Sequence, residues 1–518
     1  MEQFLARISD DLMILDYAHQ KKIDGRAFKQ DILCAMRTIE PYSRILLAQN
    51  NCYRWIVVFC ACLCAGKRLH ILDGAEDLQK KAAPIEADLL IGHGGANIED
   101  LLRFENIPTD PRKQPPLNEG HIYLYTTGTA SQSRPVLFRG RQMADTACVQ
   151  AEALGIQKND TLALLPPFSH AYGLSALLSA LQSAGQVVIL RDSLTLLKYL
   201  RSGKTDGLFV QPAMLGILAD YPTVTDKLKS LRFLACAGAK LDAAIHERYQ
   251  KQGIPVVNIY GATETGMCFM GATRTEGKAG HFFVSACMEF CLDTDGELLV
   301  RGSNIGRNGE TDAPLEDAEG WYHTGDLAQR NSDGSFSIVG RKGSVVILNS
   351  GYKINIEQLE KKVAALLNVE DCQILVQTFM GVDQLVLILC DPMAMDLQTL
   401  NQNLHYYENI ARVKRVGKIR KKRGKKIRMN KERILREIAH IMEQIAPEKK
   451  DWDRSADGMP FFKAMEFGSL TSLQFIISME KNLGVVIDIL EFDPEFTLDQ
   501  LVAFFMEQSV SAQEGEEA

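Results

Sequence analysis

The stretch Thr161-Leu-Ala-Leu-Leu-Pro-Pro-Phe-Ser-His-Ala-Tyr-Gly173 decides the fold. Its first five residues form an apolar run of strand length, the two prolines end that run, and a helix is predicted to start at about Gly173. The same order of apolar run, turn and helical stretch recurs through the N-terminal two thirds of the chain. Further strands are predicted at 122–125, 186–190, 207–210, 233–236 and 256–259.

Strands that alternate with helices in this way predict an α/β fold, because consecutive parallel strands need a crossover that a helix usually supplies. We therefore expect a large N-terminal domain built on a helix-covered, mainly parallel sheet. Ligands bind such sheets at the loops that follow the carboxyl ends of the strands. The polar loops after the predicted strands are therefore the candidate functional segments.

The pattern changes near Gly296. Two short strands, at 297–300 and 335–339, are each preceded by an Asp-Gly turn, which is typical of antiparallel pairing. A compact α+β pattern then follows Gly340, which predicts a second, smaller domain. Its predicted elements are strands at 345–348, 373–377 and 384–390 and a helix at 356–367.

Only helical spacing is present in the last 85 or so residues. Helices are predicted at 432–444, after Gly468-Ser469, and at 498–506, where Thr497 is the capping residue. The chain is therefore predicted to contain a large domain over 1–340, a small α+β domain over 341–430 and an all-α four-helix domain over 431–512. A length of 518 residues is suited to two or three domains.

The composition, 46% hydrophobic and 24% charged, is typical of a soluble globular protein. The polar N-terminus predicts no signal peptide. The longest apolar stretch, Trp55 to Ala65, is too short to span a bilayer and predicts a buried helix. Cys60, Cys62 and Cys64 alternate within it without the spacing of a zinc site, so they are interpreted as core thiols of a cytoplasmic, reduced protein.

Charge is distributed unevenly. Residues 412–436 contain fourteen lysines and arginines, whereas residues 451–518 contain fourteen acidic residues against three basic ones. A basic run is one signature of nucleic-acid binding. Because an acidic segment follows it directly, an internal electrostatic partner is an equally good explanation, and no nucleic-acid partner is expected.

Four polar segments carry candidate chemistry. Hydroxyl groups and free amides in a turn suit a polyphosphate, an aromatic ring and a carboxylate suit a base and Mg²⁺, and an Asp in a glycine-bounded turn suits a ribose. Taken singly, each is explained better by an ordinary turn or loop. The segments are Tyr125-Thr-Thr-Gly-Thr-Ala-Ser-Gln-Ser-Arg134, Tyr260-Gly-Ala-Thr-Glu264, Gly320-Trp-Tyr-His-Thr-Gly-Asp326 and Gly340-Arg-Lys-Gly343.

In this order and at these intervals, the four segments resemble the adenylate-forming superfamily, which includes acyl-CoA synthetases, aryl-acid ligases, luciferases and the adenylation domains of nonribosomal peptide synthetases. The resemblance covers roughly residues 40 to 430. It implies a large N-terminal domain, a small mobile C-terminal domain and two reaction steps. A carboxylate first attacks the α-phosphate of ATP to give acyl-AMP and pyrophosphate, and a thiol then attacks the acyl-AMP.

The resemblance also implies roles for individual residues. Glu264 would bind Mg²⁺ and Thr263 would contact the α-phosphate. The catalytic lysine would be Lys426, which the spacing from Ile419 favours, or Lys425, which adjacency to Gly424 favours. The implied nucleotide-binding residues are Thr126, Thr127, Gly128 and Thr129 at the β- and γ-phosphates, Gly238 in the turn that lines the adenine site, Tyr260 against the adenine, and Asp326 with Arg341 at the ribose.

Two segments depart from the family pattern. Ala130-Ser131 and Ser133-Arg134 stand where the phosphate loop usually has a second Thr-Gly and a Pro-Lys, and Arg keeps the charge of Lys but not its shape. Gly343-Ser344 stands where the hinge usually has an acidic residue. These departures motivate the alternative that the chain is a non-catalytic scaffold.

His170 and Gly173 occupy the segment that lines the acyl pocket in the family. Members that activate amino acids place an Asp here, and members that take 2-hydroxybenzoates place an Asn after the His, where this chain has Ala171. Because an unpaired buried ammonium is costly, the expected substrate is a fatty or simple aryl acid, not an α-amino acid. The alternative is that His170 is simply the residue at which a helix starts.

The segment Phe467-Gly-Ser-Leu-Thr-Ser-Leu473 resembles the phosphopantetheine site of carrier proteins, with Gly468 in place of the usual Asp. Ser469 would be the attachment residue, although an ordinary N-cap serine is the alternative. The implied cofactors are ATP, Mg²⁺ and 4′-phosphopantetheine. The implied partners are a small carboxylic acid, a phosphopantetheinyl transferase and a downstream synthase, and the leading alternative is an acyl-CoA ligase.

Overall fold

The structure is a computed structural model. It describes residues 1–73, 85–93, 95–101, 116–126, 134–219, 221, 224–239, 241, 243–266, 269–271, 281–284, 288–342, 345–347, 353–367, 369, 372–379, 382–389, 400–401, 404, 410–415, 431–446, 449, 452, 459–465, 467, 469–483 and 492–505.

The predicted helices are present at nearly the predicted residues. The helix predicted over 356–367 has those bounds, and a helix begins at Ser469. The helices are α1 (Glu2–Arg7), α2 (Gly25–Thr38), α3 (Tyr53–Cys64), α4 (Ile98–Leu101), α5 (Gly140–Leu154), α6 (Ala171–Ser183), α7 (Ser193–Ser202), α8 (Pro212–Ala219), α9 (Thr225–Lys229), α10 (Ala243–Lys251), α11 (Ile356–Leu367), α12 (Lys431–Ile445), α13 (Phe461–Ala464), α14 (Ser469–Leu483) and α15 (498–505).

All strands predicted from apolar runs are also present. They are β1 (Met13–Asp16), β2 (Lys21–Asp24), β3 (Arg44–Ala48), β4 (Arg68–Leu72), β5 (Leu89–Gly92), β6 (His121–Tyr125), β7 (Pro135–Arg139), β8 (Thr161–Leu164), β9 (Gln186–Ile189), β10 (Gly207–Val210), β11 (Phe233–Cys236), β12 (Val256–Tyr260), β13 (Phe269–Gly271), β14 (Phe282–Val284), β15 (Met288–Leu292), β16 (Glu297–Gly302), β17 (Arg307–Asn308), β18 (Tyr322–Arg330), β19 (Phe336–Arg341), β20 (Val345–Ile347), β21 (Lys353–Asn355), β22 (Gln373–Phe379), β23 (Val382–Leu389) and β24 (Ile410–Arg415).

The chain packs into two compact units. The large unit comprises residues 1–289, 302–316 and 428–518, and the small unit comprises residues 290–301 and 317–427. Because these units are defined by how the chain packs, they do not test the domain bounds predicted from the sequence. Those bounds remain a prediction.

The first sheet of the large unit is mainly parallel, as predicted. Its strand order is β14-β13-β12-β11-β10-β8-β9-β1-β2, and the six strands from β12 to β1 run parallel to their neighbours. Every residue of β8, β10 and β11 is buried, as expected for strands covered by helices on both faces. Antiparallel strands flank this parallel part at both ends.

A second sheet of the large unit has the order β17-β7-β6-β4-β3-β5. Strands β5, β3, β4 and β6 are parallel, and β7 and β17 are antiparallel additions. Helix α3 is buried over almost its whole length, which confirms the predicted buried helix. Burial raises the pKa of the Cys60, Cys62 and Cys64 thiols, so they remain protonated core groups.

The C-terminal helices α12 to α15 pack within the large unit. Their apolar side chains share one core cluster with α7, α8 and the strands β8 to β12. Helix α14 contacts both α12 and α7, and Lys198 Nζ of α7 donates a hydrogen bond of 2.8 Å to the carbonyl of Phe492. The cap predicted for the last helix is confirmed, because Thr497 Oγ1 accepts from the Gln500 amide at 3.4 Å.

Among the described residues of the small unit, strands are hydrogen-bonded in the orders β15-β16-β18-β19, β20-β21 and β22-β23-β24. The Asp-Gly turns predicted before β16 and β19 are confirmed, with Gly296 at φ +83° and Gly334 at φ +85°. Helix α11 packs on β22 around Leu359, Val363 and Ile374. Neither unit contains, among the described residues, a helix long and apolar enough to cross a membrane.

Candidate active site

Three of the predicted site segments follow neighbouring parallel strands of the first sheet. Strands β8, β10, β11 and β12 are parallel, so their carboxyl ends lie at one edge. His170 follows β8, Gly238 follows β11, and Tyr260 is the last residue of β12. This edge is where ligands bind open α/β sheets, and it is the edge that the sequence predicted.

Three polar residues follow the carboxyl ends of parallel strands in the second sheet. Asn51 follows β3, Asp73 follows β4, and Thr126 follows β6. The sequence predicted a role only for Thr126. Asn51 and Asp73 were missed, although each lies just after an apolar strand, which was the available signal.

Asn51 and Asp73 join the two edges. The buried side chain of Asn51 donates to the Pro166 carbonyl at 3.0 Å and accepts from the Phe168 amide at 2.8 Å. The Asp73 carboxylate accepts from Ser169 Oγ at 3.1 Å and lies 3.2 Å from His170 Nε2. The carboxyl ends of the two sheets therefore face each other across these contacts.

His170 is the N-cap residue of α6, but its ring makes no cap hydrogen bond and instead pairs with Asp73. The helix begins at Ala171, two residues before the predicted start. A Cβ on Gly173 would lie 2.0 Å from the Pro167 carbonyl oxygen, so only glycine fits against this turn. Tyr172 anchors the helix, because its hydroxyl donates to the Ala235 carbonyl of β11 at 2.8 Å.

The turn after β12 presents Thr263 and Glu264. Residues 263–265 form a single 3₁₀ turn, in which Thr265 Oγ1 accepts from the Ala262 amide at 2.9 Å. Gly266 ends the turn with φ +61°. The side chains of Thr263 and Glu264 are half-buried, so the turn holds a hydroxyl and a carboxylate together at the sheet edge.

The two residues assigned to adenine lie at the carboxyl ends of adjacent strands. The half-buried ring of Tyr260 lies 5.4 Å from the Phe282 ring, centroid to centroid. Gly238 is exposed, has φ +91°, and has no atom within 4 Å of the place where a Cβ would stand. A left-handed glycine leaves an open approach to the backbone beside Tyr260.

Thr126 closes the base of the predicted phosphate loop. Its amide donates to the Arg134 carbonyl at 3.1 Å, and its Oγ1 accepts from the Arg134 amide at 3.0 Å. Thr127, Gly128 and Thr129 lie outside the described residues, as do Lys425 and Lys426.

An imidazole–phenol pair joins β6, the strand that leads into this loop, to its neighbour β4. His70 Nδ1 and the Tyr125 hydroxyl are 2.8 Å apart, and the His70 ring stacks on Tyr123 at 4.2 Å. Burial, with the nearby charges of Arg44 and Arg68, lowers the pKa of His70 to about 4. The imidazole is therefore neutral at pH 7 and orients Tyr125 without adding charge.

In the small unit, the structure brings Asp326 and Arg341 together, as the sequence predicted. They are register partners on β18 and β19, and Arg341 Nη1 donates to Asp326 Oδ1 at 2.8 Å. Asp326 is buried, whereas Arg341 is exposed.

A neighbouring cluster in the small unit was missed by sequence reasoning. The buried Glu297 carboxylate accepts from the Gly325 amide at 2.9 Å and from Lys342 Nζ at 2.8 Å, and it lies 3.4 Å from His323 Nδ1. Burial opposes ionisation of Glu297, but these hydrogen bonds keep its pKa below the usual range. The Glu297 carboxylate thereby fixes the backbone turn next to Asp326.

A magnesium ion fits the donors of the large unit. Within the described part of the chain, no three His, Cys, Asp or Glu side chains are grouped to hold a metal. Mg²⁺ is commonly held by one or two carboxylates together with substrate phosphates, so the single carboxylate of Glu264 suits an ion that arrives with a nucleotide.

The family model of AMP-binding enzymes matches residues 67–308. This range contains Thr126 to Thr129, His170, Gly173, Gly238, Tyr260, Thr263 and Glu264, whereas Asp326, Arg341, Lys425, Lys426 and Ser469 lie outside it.

Similar curated proteins are CoA ligases. A Mycobacterium tuberculosis CoA ligase for a 7a-methyl-1,5-dioxo-octahydro-1H-inden-4-yl propanoyl group is 30% identical over 49% of this chain and 52% of its own length. The 2-succinylbenzoate–CoA ligase of Bacillus licheniformis is 24% identical over 58% of this chain and 70% of its own length. The chain spans about half the length of most of these curated relatives.

Solved structures share the fold. ATP-bound MatB from Rhodopseudomonas palustris has a TM-score of 0.68 at 17% identity, over 80% of this chain and 94% of that one. The O-succinylbenzoate coenzyme A synthetase MenE of Bacillus subtilis, in complex with ATP and magnesium, has a TM-score of 0.65 at 17% identity, over 80% of this chain and 95% of that one.

Proposed function

We propose that the chain uses ATP to activate a carboxylic acid as an acyl-adenylate, on the premise that residues 67–308 match the family model of AMP-binding enzymes. The observation that carries the proposal is the contact between the two sheet edges, where Asp73 of the second sheet meets Ser169 and His170 of the first. The edge with the phosphate loop thus lies beside the edge with the acyl-pocket segment.

The reaction needs positioning and charge neutralisation more than covalent help from the protein. An oxygen of the substrate carboxylate attacks the α-phosphorus of ATP, the bond from that phosphorus to the bridging oxygen breaks, and pyrophosphate leaves. The loop that starts at Thr126 would hold the β- and γ-phosphates. Thr263 would contact the α-phosphate. Mg²⁺ on Glu264 would neutralise charge on the phosphate oxygens.

Residues outside the family match have further proposed roles. Asp326 and Arg341 would hold the ribose hydroxyls, since a carboxylate fixed by a guanidinium is a strong acceptor in a set geometry. Lys426 or Lys425 would bring the last positive charge to the α-phosphate and the substrate carboxylate.

The proposed substrate is a fatty or simple aryl acid. Ala171 and Tyr172 are buried at the start of α6, where an amino-acid-activating enzyme would offer a carboxylate. The nearby carboxylate of Asp73 already contacts Ser169 and His170. Among the described residues of this segment, a substrate ammonium would therefore lack a dedicated carboxylate, which disfavours an α-amino acid.

The proposed acceptor of the acyl group is a thiol. Helix α14 begins at Ser469 within the all-helical C-terminal segment, which supports loading of a phosphopantetheine carried by Ser469. The side chain of Ser469 lies outside the described residues. Coenzyme A is the second candidate acceptor, and the names of the curated relatives favour it.

Exchange of labelled pyrophosphate into ATP, with a panel of fatty and benzoic acids, tests the activation step. Glu264→Gln keeps the side-chain volume and the main-chain bonds of the turn. We therefore expect a folded protein whose exchange rate is lower than that of the native chain by about 100-fold or more. Glu247→Gln, on the exposed face of α10, is the control and should exchange normally. Absence of exchange with every acid, while Mg·ATP still binds, would favour the non-catalytic scaffold.

Intact-protein mass spectrometry tests the acceptor. After co-expression with a broad-specificity phosphopantetheinyl transferase, we expect the added mass on the native chain and its loss in Ser469→Ala. Addition of ATP, Mg²⁺ and the active acid should then add the acyl mass. An unmodified native chain that releases acyl-CoA when coenzyme A is supplied would instead identify a CoA ligase.

A further inference from the structure

One short segment, residues 304–309, connects the turn that carries Glu264 with the strand that follows the phosphate loop. All three parts belong to the large unit. None of the sequence motifs includes this segment. Its two ends make different sets of hydrogen bonds, one to the turn and the other to the strand.

The first end of the segment fixes the main chain of the carboxylate turn. The Gly306 amide donates to the Glu264 carbonyl at 2.7 Å, and Asn304 Nδ2 donates to the Thr265 carbonyl. Asn304 and Thr265 are each 1% exposed, so water cannot replace the bond between them. Asn304 and Gly306 therefore hold the main-chain carbonyls of Thr265 and Glu264, on which the direction of the Glu264 side chain depends.

The other end of the segment pairs with β7, the strand that leaves the phosphate loop. Arg307 and Asn308 are register partners of Leu137 and Val136. The Gly309 amide donates to the Pro135 carbonyl at 2.9 Å. Pro135 directly follows Arg134, which closes the loop base with Thr126.

Close packing keeps the segment against β7. A Cβ on Gly306 would lie 2.4 Å from Val136 Cγ1, and a Cβ on Gly309 would lie 2.7 Å from the Pro135 carbonyl oxygen. Glycine is therefore required at both positions by contact with the β7 strand. Close contact with β7 therefore fixes the distance between the segment and the strand that leaves the loop base.

Gln142, in the first turn of α5, forms hydrogen bonds with the start of the 304–309 segment. Its Nε2 donates to the Ser303 carbonyl at 2.9 Å and to the Ile305 carbonyl at 2.7 Å. Its Oε1 accepts from the Arg139 amide at 3.3 Å, at the end of β7. One side chain thus holds both the segment and the strand with which it pairs.

We propose that residues 304–309 are a positioning strut that sets the place of the Glu264 carboxylate relative to the triphosphate loop, with Asn304 and Gln142 as its positioning residues. The inference rests on the proposed function, because it assigns Glu264 to Mg²⁺ and the Thr126 loop to phosphates. Neither Asn304 nor Gln142 needs to touch the nucleotide. Each acts through the backbone of the turn or of the strut.

The test compares Asn304→Ala, Gln142→Leu and the double variant with the native chain. Misplacing a charge by about 1 Å costs up to roughly 100-fold in rate, and loss of an orienting partner costs about 10- to 100-fold in affinity. We therefore expect each single variant to weaken Mg·ATP binding, measured by titration calorimetry, by about tenfold or more. The half-saturating Mg²⁺ concentration should rise in parallel, while the KM for the acid stays unchanged.

Asn51→Ala is the matched control. It also removes a buried asparagine of the large unit whose amide bonds two backbone groups, but those groups belong to Pro166 and Phe168 beside the acyl-pocket segment. It should change the KM for the acid and leave Mg·ATP binding unchanged. The double variant Asn304→Ala/Gln142→Leu should be much less impaired than the product of the single effects, since both residues hold one strut.

The outcomes separate the strut from the proposed function. Unchanged Mg·ATP binding and Mg²⁺ dependence in folded Asn304→Ala and Gln142→Leu would overturn the strut, whatever the activity of the native chain. Absence of pyrophosphate exchange in a native chain that binds Mg·ATP would overturn the proposed function, and the calorimetric comparison would still decide the strut. If Asn304→Ala and Gln142→Leu changed the KM for the acid as much as the affinity for Mg·ATP, the strut would also be overturned, because equal effects indicate a general loss of structure.

Discussion

Asp326 and Arg341 face each other as register partners on β18 and β19, with Arg341 Nη1 2.8 Å from Asp326 Oδ1. The carboxylate is buried and the guanidinium is exposed. An aspartate in this setting is held in one orientation by the guanidinium beside it. It is suited to accept hydrogen bonds from a diol such as that of ribose.

Asp326→Asn should therefore impair nucleotide binding selectively. The amide keeps the shape but loses the charge, and a hydrogen bond to a charged group contributes about 1.5–3 kcal/mol. The KM for ATP in pyrophosphate exchange should rise by roughly ten- to a hundredfold, with little change in the KM for the acid. Asp333→Asn, in the turn of the same hairpin, removes the charge from the oxygen that accepts from the Ser335 amide and should alter stability alone. Equal effects of both variants on the KM for ATP would contradict the assignment.

His323 should make the stability of the small unit depend on pH. Hydrogen bonding to Asp317, opposed by partial burial and assisted by Glu297, raises the pKa of His323 above its usual 6.5. The protonated form therefore favours the folded state at and below pH 6.5, and this contribution is lost as the pH rises through the raised pKa. The free energy of unfolding, measured by denaturant titration, should fall over this interval.

His323→Gln is the control for this pH dependence and should flatten the profile above pH 6. The carboxylates act in the opposite range. The pKa values of Asp317 and Glu297 are lowered, so their contribution is present above their usual pKa values and is lost as the pH falls through the lowered ones. If the free energies of unfolding of the native protein and of His323→Gln depend on pH in the same way from pH 6 to 8, protonation of the imidazole is not linked to folding.

Gly173→Ala should disrupt the acyl-pocket segment far more than a comparable change elsewhere. The added Cβ would stand 2.0 Å from the Pro167 carbonyl oxygen, so the turn or the first turn of α6 must move. Overpacking of this kind costs about 1–3 kcal/mol, and activity with every acid should fall. Gly216→Ala, in α8, places its Cβ 3.4 Å from Ile245 and should be neutral or stabilising by up to about 1 kcal/mol. Thermal unfolding and exchange kinetics of both variants check this pair.

The sequence predicted the elements of the fold well, because apolar runs and turn residues are local signals. It also predicted that Asp326 and Arg341 come together, through the order of motifs. It missed Asn51, Asp73 and Asn304 for one physical reason. Their hydrogen-bond partners are distant in the sequence: Pro166 lies 115 positions from Asn51, Ser169 lies 96 from Asp73, and Thr265 lies 39 from Asn304. A local sequence pattern carries no information on such contacts.

The packing of the C-terminal helices was likewise beyond the reach of a local pattern. The amphipathic spacing of Ile434, Ile438 and Ile441 predicts that α12 buries one face, and all three are fully buried. It does not say what covers that face. The structure places α12 and α14 in one core cluster with α7, and Lys198 bonds the Phe492 carbonyl. A carrier joined only by a flexible tether would not share a core in this way.

Ile476→Ala tests whether this shared core exists in solution. The residue is fully buried in α14, which contacts α7, and removal of a buried isoleucine side chain costs about 2–5 kcal/mol. Hydrogen exchange followed by mass spectrometry should then show faster exchange in α7 (Ser193–Ser202) as well as in α14, because the two helices lose a common packing partner. Leu366→Ala, at a position 45% exposed on α11, is the control and should leave α7 unchanged. Faster exchange confined to residues 431–505 would show instead that the C-terminal helices open on their own, which is the behaviour of a carrier that leaves its docking surface to deliver an acyl group.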